Sequence, residues 1–134
     1  VAGVGAAGER ELPAPWSELS PAPRGGWRAL LRRAGRAHYH VRFLPPGAAP
    51  DDPTLREVDA HRWGGWSPDG SGWLYGQRDG VHLIDVASGA DRLLSSESFT
   101  YGAALSADGQ TLYTTHDEAR VRRELITNFD ERPR

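Results

Sequence analysis

From Trp63 to Leu94 the chain alternates short apolar runs with turn signals. Trp63-Gly64-Gly65-Trp66 leads into Ser67-Pro68-Asp69-Gly70, after which Trp73-Leu74-Tyr75 is an aromatic and apolar run of the kind strands favour. Asp79-Gly80 follows, then Val81-His82-Leu83-Ile84-Asp85-Val86, then Ala87-Ser88-Gly89-Ala90, and Arg92-Leu93-Leu94 runs out behind it. Asp-Gly marks a tight turn because glycine accepts the positive φ that such turns need. The pattern predicts four short strands in an antiparallel meander.

The unit recurs. Ser106-Ala107-Asp108-Gly109 repeats Ser67-Pro68-Asp69-Gly70, with Tyr101-Gly102-Ala103-Ala104-Leu105 standing where Trp63-Gly64-Gly65-Trp66 stood. Thr111-Leu112-Tyr113 is aligned with Trp73-Leu74-Tyr75. A degraded earlier copy is read at Ser20-Pro21-Ala22-Pro23-Arg24-Gly25-Gly26-Trp27. A period of roughly 40 residues with four short strands per unit is the signature of propeller blades.

The remaining segments fit that register. Pro13, Pro15, Pro21 and Pro23 exclude a long helix and a central strand, with Trp16 and Leu19 anchoring a strand between them. Trp27–Arg33 carries Arg28, Arg32 and Arg33 and has the look of a basic amphipathic helix, but the flanking glycines and the repeat favour a strand. His38–Leu44 alternates with the period of two of a half-buried strand. Pro45–Pro53 is a loop, Thr54–Val58 a further strand, and Val121–Phe129 a closing strand.

On the S-P-D-G turn followed by an apolar strand, the chain resembles the WD40-like repeats of TolB-type β-propellers, repeats that also build the propeller of prolyl-oligopeptidase-type enzymes. The likeness is carried by Arg62–Asp117 and is weaker over Ser20–Ala60. The fold expected is all-β: a partial β-propeller of about three antiparallel four-stranded blades, the last incomplete. Its divisions are an N-terminal end or the last strand of a preceding blade at 1–19, a degenerate blade at 20–61 with a Pro-rich insertion, a well-formed blade at 62–98 and an incomplete third one at 99–134. Closed propellers use about 4–8 blades. The expectation is therefore a fragment, as the absence of an initiator Met suggests, or self-association to close the ring.

Composition narrows the function classes. A net charge of −2 gives no bulk field to attract nucleic acid or anionic membrane. All cationic side chains are Arg, and there is no Cys, hence no disulfide framework and no thiolate site. No apolar run approaches a membrane span of about 20 residues.

Candidate chemistry is sparse. Gly3-Val4-Gly5-Ala6-Ala7-Gly8 spells G-x-G-x-x-G, without the preceding strand and following helix that a dinucleotide site needs. His38 and His40 share a strand face, yet two histidines fall short of the three or four ligands zinc wants, and Asp51, Asp52 and His61 complete a set only through folding. Gly65-Trp66-Ser67-Pro68-Asp69 approaches the G-x-S-x-G nucleophile elbow but lacks its final glycine, and the recurrence at Ser106 points to a turn. The acidic pairs Asp51-Asp52 and Asp117-Glu118 lack the alternation and glycine bend of a calcium loop. No cofactor is expected, and no catalytic or metal residue is assigned. Five Trp in a short chain leave channel or partner contacts as the candidate site: Trp63, Trp66, Tyr101, His82 and His116.

The resemblance implies a non-catalytic module that binds a protein or peptide, in a periplasmic or otherwise extracytoplasmic bacterial setting. Two alternatives stay open. One is the substrate-gating propeller of a serine hydrolase whose catalytic domain lies outside this chain, and the other is the sensor domain of a regulatory protein.

Overall fold

The computed structural model describes residues 16–97, Phe99, and residues 102–117 and 120–126. The glycine-rich stretch at 3–8, Tyr101, Glu118 and everything beyond Ile126 lie outside the described residues, as do the side chains of His116, Asp117, Arg120 and Val121. Among the described residues every regular element is a strand, and the strands make three antiparallel sheets.

The first sheet is β1 (Ser17–Glu18), β2 (Arg28–Gly35), β3 (His38–Leu44) and β4 (Glu57–Ala60), paired in chain order. The second is β5 (Arg62–Trp66), β6 (Gly72–Gln77), β7 (Gly80–Asp85) and β8 (Asp91–Ser95), and the third is β9 (Gly102–Leu105), β10 (Thr111–Asp117) and β11 (Arg120–Leu125). Each is a meander, and the segment with helix-like arginine spacing is strand β2. His61 alone joins β4 to β5, whereas residues 96–101 separate β8 from β9.

Both faces of the second sheet are covered, and β6 carries the alternation that makes this possible. Trp73 and Tyr75 point to the first sheet, where they pack with Ala29, Val41, Phe43, Ala60, Ile84 and Val86. Leu74, between them, points the other way and packs with Val81, Leu83, Phe99, Leu112 and Ile126. Side chains on a strand alternate faces, so one strand feeds two cores. At the bulge of β5 the backbone of Gly64 comes so close to β9 that a Cβ there would lie 3.2 Å from the Ala103 carbonyl oxygen.

The two clear repeats superpose in register, with one correction to the expected alignment. Trp66 pairs with Trp73 and Leu105 with Leu112, while Ser67 N–H donates to Gly72 and Ser106 N–H to Thr111. Thr111-Leu112-Tyr113 therefore matches Gly72-Trp73-Leu74, not Trp73-Leu74-Tyr75. A shift of one residue exchanges the faces of a strand. Leu112 is accordingly buried against the second sheet, and Tyr113, the counterpart of fully buried Leu74, is 39% exposed.

Candidate functional site

The turns that carry the repeat are built by the same three residue types. Gly70 N–H donates to Ser67 C=O at 2.9 Å, and Gly109 N–H to Ser106 C=O at 2.9 Å. Pro68 presets φ at the second position, and Gly70 takes φ 79° at the fourth. Ser67 Oγ accepts from Gly72 N–H at 2.9 Å and donates to Asp69 Oδ1 at 2.7 Å. Asp69 Oδ1 also accepts from Ser71 N–H and Ser71 Oγ. Ser106 and Asp108 repeat the arrangement, with Thr111 N–H donating to Ser106 Oγ and Gln110 N–H to Asp108 Oδ1. The Ser67 hydroxyl is thus engaged as a turn element, on both its donor and acceptor sides.

These bonds favour the ionised carboxylates. The Ser71 backbone N–H first, then the two serine hydroxyls, hold Asp69 below the usual range; the Ser106 hydroxyl and the Gln110 N–H do the same for Asp108. Between the two turns lies a cleft of about 440 Å³, within the range of pockets that take small ligands or side chains. Leu83 and Leu105 supply apolar wall, and Asp69, Asp85 and Asp108 supply carboxylates. Asp85 Oδ1 is occupied in the turn after β7 by the N–H groups of Ala87 and Ser88.

The candidate contact residues are dispersed by the fold. Trp63, on β5, is 41% exposed. Trp66 lies partly buried against the first core, edge-on to Phe43, and its indole N–H donates to Ser20 C=O at 2.8 Å. His116 falls on β10, with its side chain outside the described residues, and Tyr101 is outside them altogether. His82 is held within the second sheet. Its Nε2 lies 2.7 Å from Asp79 Oδ1 and its Nδ1 lies 2.7 Å from Asp91 Oδ1. Its ring stacks on Tyr75, whose hydroxyl donates to the other oxygen of Asp91. Burial works against a charge on the ring, but the two carboxylates outweigh it and raise the His82 pKa above its ordinary 6.5. Burial and the Asp91 carboxylate together push the Tyr75 hydroxyl far above its usual value.

A second histidine group forms on the first sheet. His38 stacks on His61 at 5.9 Å between ring centroids and lies 5.5 Å from His40, which pairs with Asp59. Among the described residues no group of three or more His, Cys, Asp or Glu is placed to hold a metal ion. Asp52 is taken up by Thr54, accepting from its N–H and hydroxyl.

Sequence reasoning missed the partners of His82 and the cleft itself. Asp79 and Asp91 flank His82 in the chain, so their attachment was legible once β7 and β8 were paired. The cleft arises from the spacing of two turns in different sheets, and no local pattern signals it.

No family model matches the chain, and no solved structure matches it. Over 44 residues it is 41% identical to the small ribosomal subunit protein uS2c of Mesostigma viride, a stretch that covers 33% of this chain and 19% of that protein. The chain thus spans about a fifth of that relative's length, a share that shows neither family nor fold. No helix among the described residues is long and apolar enough to cross a membrane.

Proposed function

We propose that the chain is a run of blades of a TolB-like β-propeller, acting as a non-catalytic module that recognises a protein or peptide. The supporting observation is the repeat itself. Three meanders follow one another in chain order, the second packs on both neighbours, and the S-x-D-G turn recurs at the same strand junction with the same hydrogen bonds. The outward face of the third sheet fits this reading. Tyr113, exposed there, occupies the register position of Leu74, which the next sheet buries. In a propeller another blade would cover it, supplied by further chain or by a second copy. An extracytoplasmic setting rests on the resemblance alone.

Trp63 is the recognition residue this reading favours, because a large exposed aromatic is the usual anchor of an interface and its ring is not among those forming the first core. The test is affinity capture from a native extract with wild-type and Trp63→Ala baits of equal circular dichroism. Proteins recovered by the wild type should fall by about tenfold with the variant, as for an anchor worth roughly 1.4 kcal/mol or more. Unchanged recovery would remove Trp63 from the site, and the absence of any specific partner would remove the binding role.

A further inference from the structure

We propose that the cleft between the two S-x-D-G turns receives a lysine or arginine side chain from a basic peptide segment of the partner. The inference rests on the binding-module reading and adds the chemistry of the partner. The cleft has two parts, an apolar wall of Leu83 and Leu105 and the carboxylates of Asp69, Asp85 and Asp108. Among its described lining residues Arg92 is the one cation, so negative charge predominates three to one.

The carboxylates are placed to serve two purposes. Every hydrogen bond of Asp69, Asp85 and Asp108 within their turns falls on Oδ1. The turn bonds engage only this one oxygen of each carboxylate, so an incoming ammonium or guanidinium can be met at the second without dismantling a turn. The turn bonds also keep Asp69 and Asp108 charged near neutral pH. A long basic side chain matches both parts, since its methylene stem covers apolar surface while its head stays among polar groups. An acidic segment would face like charge in a concave site, where the field of one sign is concentrated.

Ala107 lines the cleft and is exposed, so it can carry a new charge without disturbing a turn bond. The probes are a fluorescent decapeptide bearing four lysines and the same peptide with four glutamates, read by anisotropy at low and moderate salt. The lysine peptide should bind, and weaken with salt. Ala107→Lys should raise its Kd by about tenfold, and Ala107→Glu should lower it several-fold. Opposite shifts from one position separate a charge effect from damage to the fold, which circular dichroism of both variants checks. Equal binding of the glutamate peptide, no measurable binding of the lysine peptide, or a Kd unmoved by both substitutions would each overturn the proposal. The capture experiment reads Trp63 instead, so failure at the cleft and failure of the binding-module reading are told apart.

Discussion

Between the first and second sheets the core is aromatic, and between the second and third it is aliphatic. On the first side Phe43 meets Trp73 at 5.5 Å and 68° and Trp66 at 6.2 Å and 64°, while Trp73 stacks on Tyr75. On the second side Leu74, Val81, Leu83 and Leu112 meet, with Phe99 the one ring of that core among the described residues. Edge-to-face pairs add orientation to burial, whereas branched aliphatic chains add volume with less angular preference. One strand serves both, so neighbouring residues on β6 hold different parts of the molecule.

That division can be broken most directly at β6. Trp73→Ala should cost about 3–5 kcal/mol and Leu74→Ala about 2–5 kcal/mol in urea unfolding, as for large-to-small changes in packed cores. Hydrogen exchange distinguishes them by place. Trp73→Ala should deprotect amides of β2 and β3, and Leu74→Ala those of β9 and β10. If both variants loosen the same strands, the two cores are one cooperative unit and the comparison fails.

The meander and its turns could be read in the sequence because they are local. Ser67-Pro68-Asp69-Gly70 specifies its own hydrogen bonds, and the alternation over His38–Leu44 specifies a strand with two faces. Register between repeats was less legible. Tyr113 resembles Tyr75 in type, yet the six-residue spacing from Ser106 to Leu112 equals that from Ser67 to Trp73, and spacing decides which face a residue takes. Of the candidate site, Trp63 is exposed on the otherwise half-buried β5, while Trp66 and His82 are drawn into packing and ion pairing. The place of Trp66 depends on Phe43 and Ser20, residues distant in the chain that only the tertiary fold delivers, and that of His82 on nearby Asp79 and on Asp91, which the pairing of β7 with β8 brings to it.

The repeated turn offers a smaller test of the same contrast. Gly70 abuts the loop between β1 and β2, where a Cβ would run into the Arg24 carbonyl oxygen, while a Cβ on Gly109 would meet nothing within 4 Å. Both glycines have positive φ, 79° and 73°, so alanine at either position carries the same backbone strain of roughly 1–2 kcal/mol. Gly109→Ala should cost about that much, and Gly70→Ala measurably more, because Arg24 must also move. Equal losses in urea unfolding would mean that the Ser67 turn does not bear on the loop between β1 and β2.

The smallest expected effect sharpens the aromatic side alone. His82 lies on the Tyr75 face of the second sheet, and its two carboxylate contacts require both ring nitrogens to carry protons. A neutral imidazole has one N–H, so deprotonation turns one contact into a lone pair facing a carboxylate. Because the folded-state pKa is raised above 6.5, this stabilisation is fully present below 6.5 and is lost as pH rises through the raised value. Asp79, whose carboxyl is lowered mainly by the same hydrogen bond, reports that contact from the other side, and its share is lost as pH falls through its lowered value. Melting temperatures of the wild type and His82→Gln should therefore differ most near pH 5.5–6.5 and converge to roughly half that gap or less by about pH 9. Exchange protection should fall at β6–β8 over the same interval while the Leu74 side is unmoved. A gap that widens as pH rises would show that His82 is held as the neutral ring.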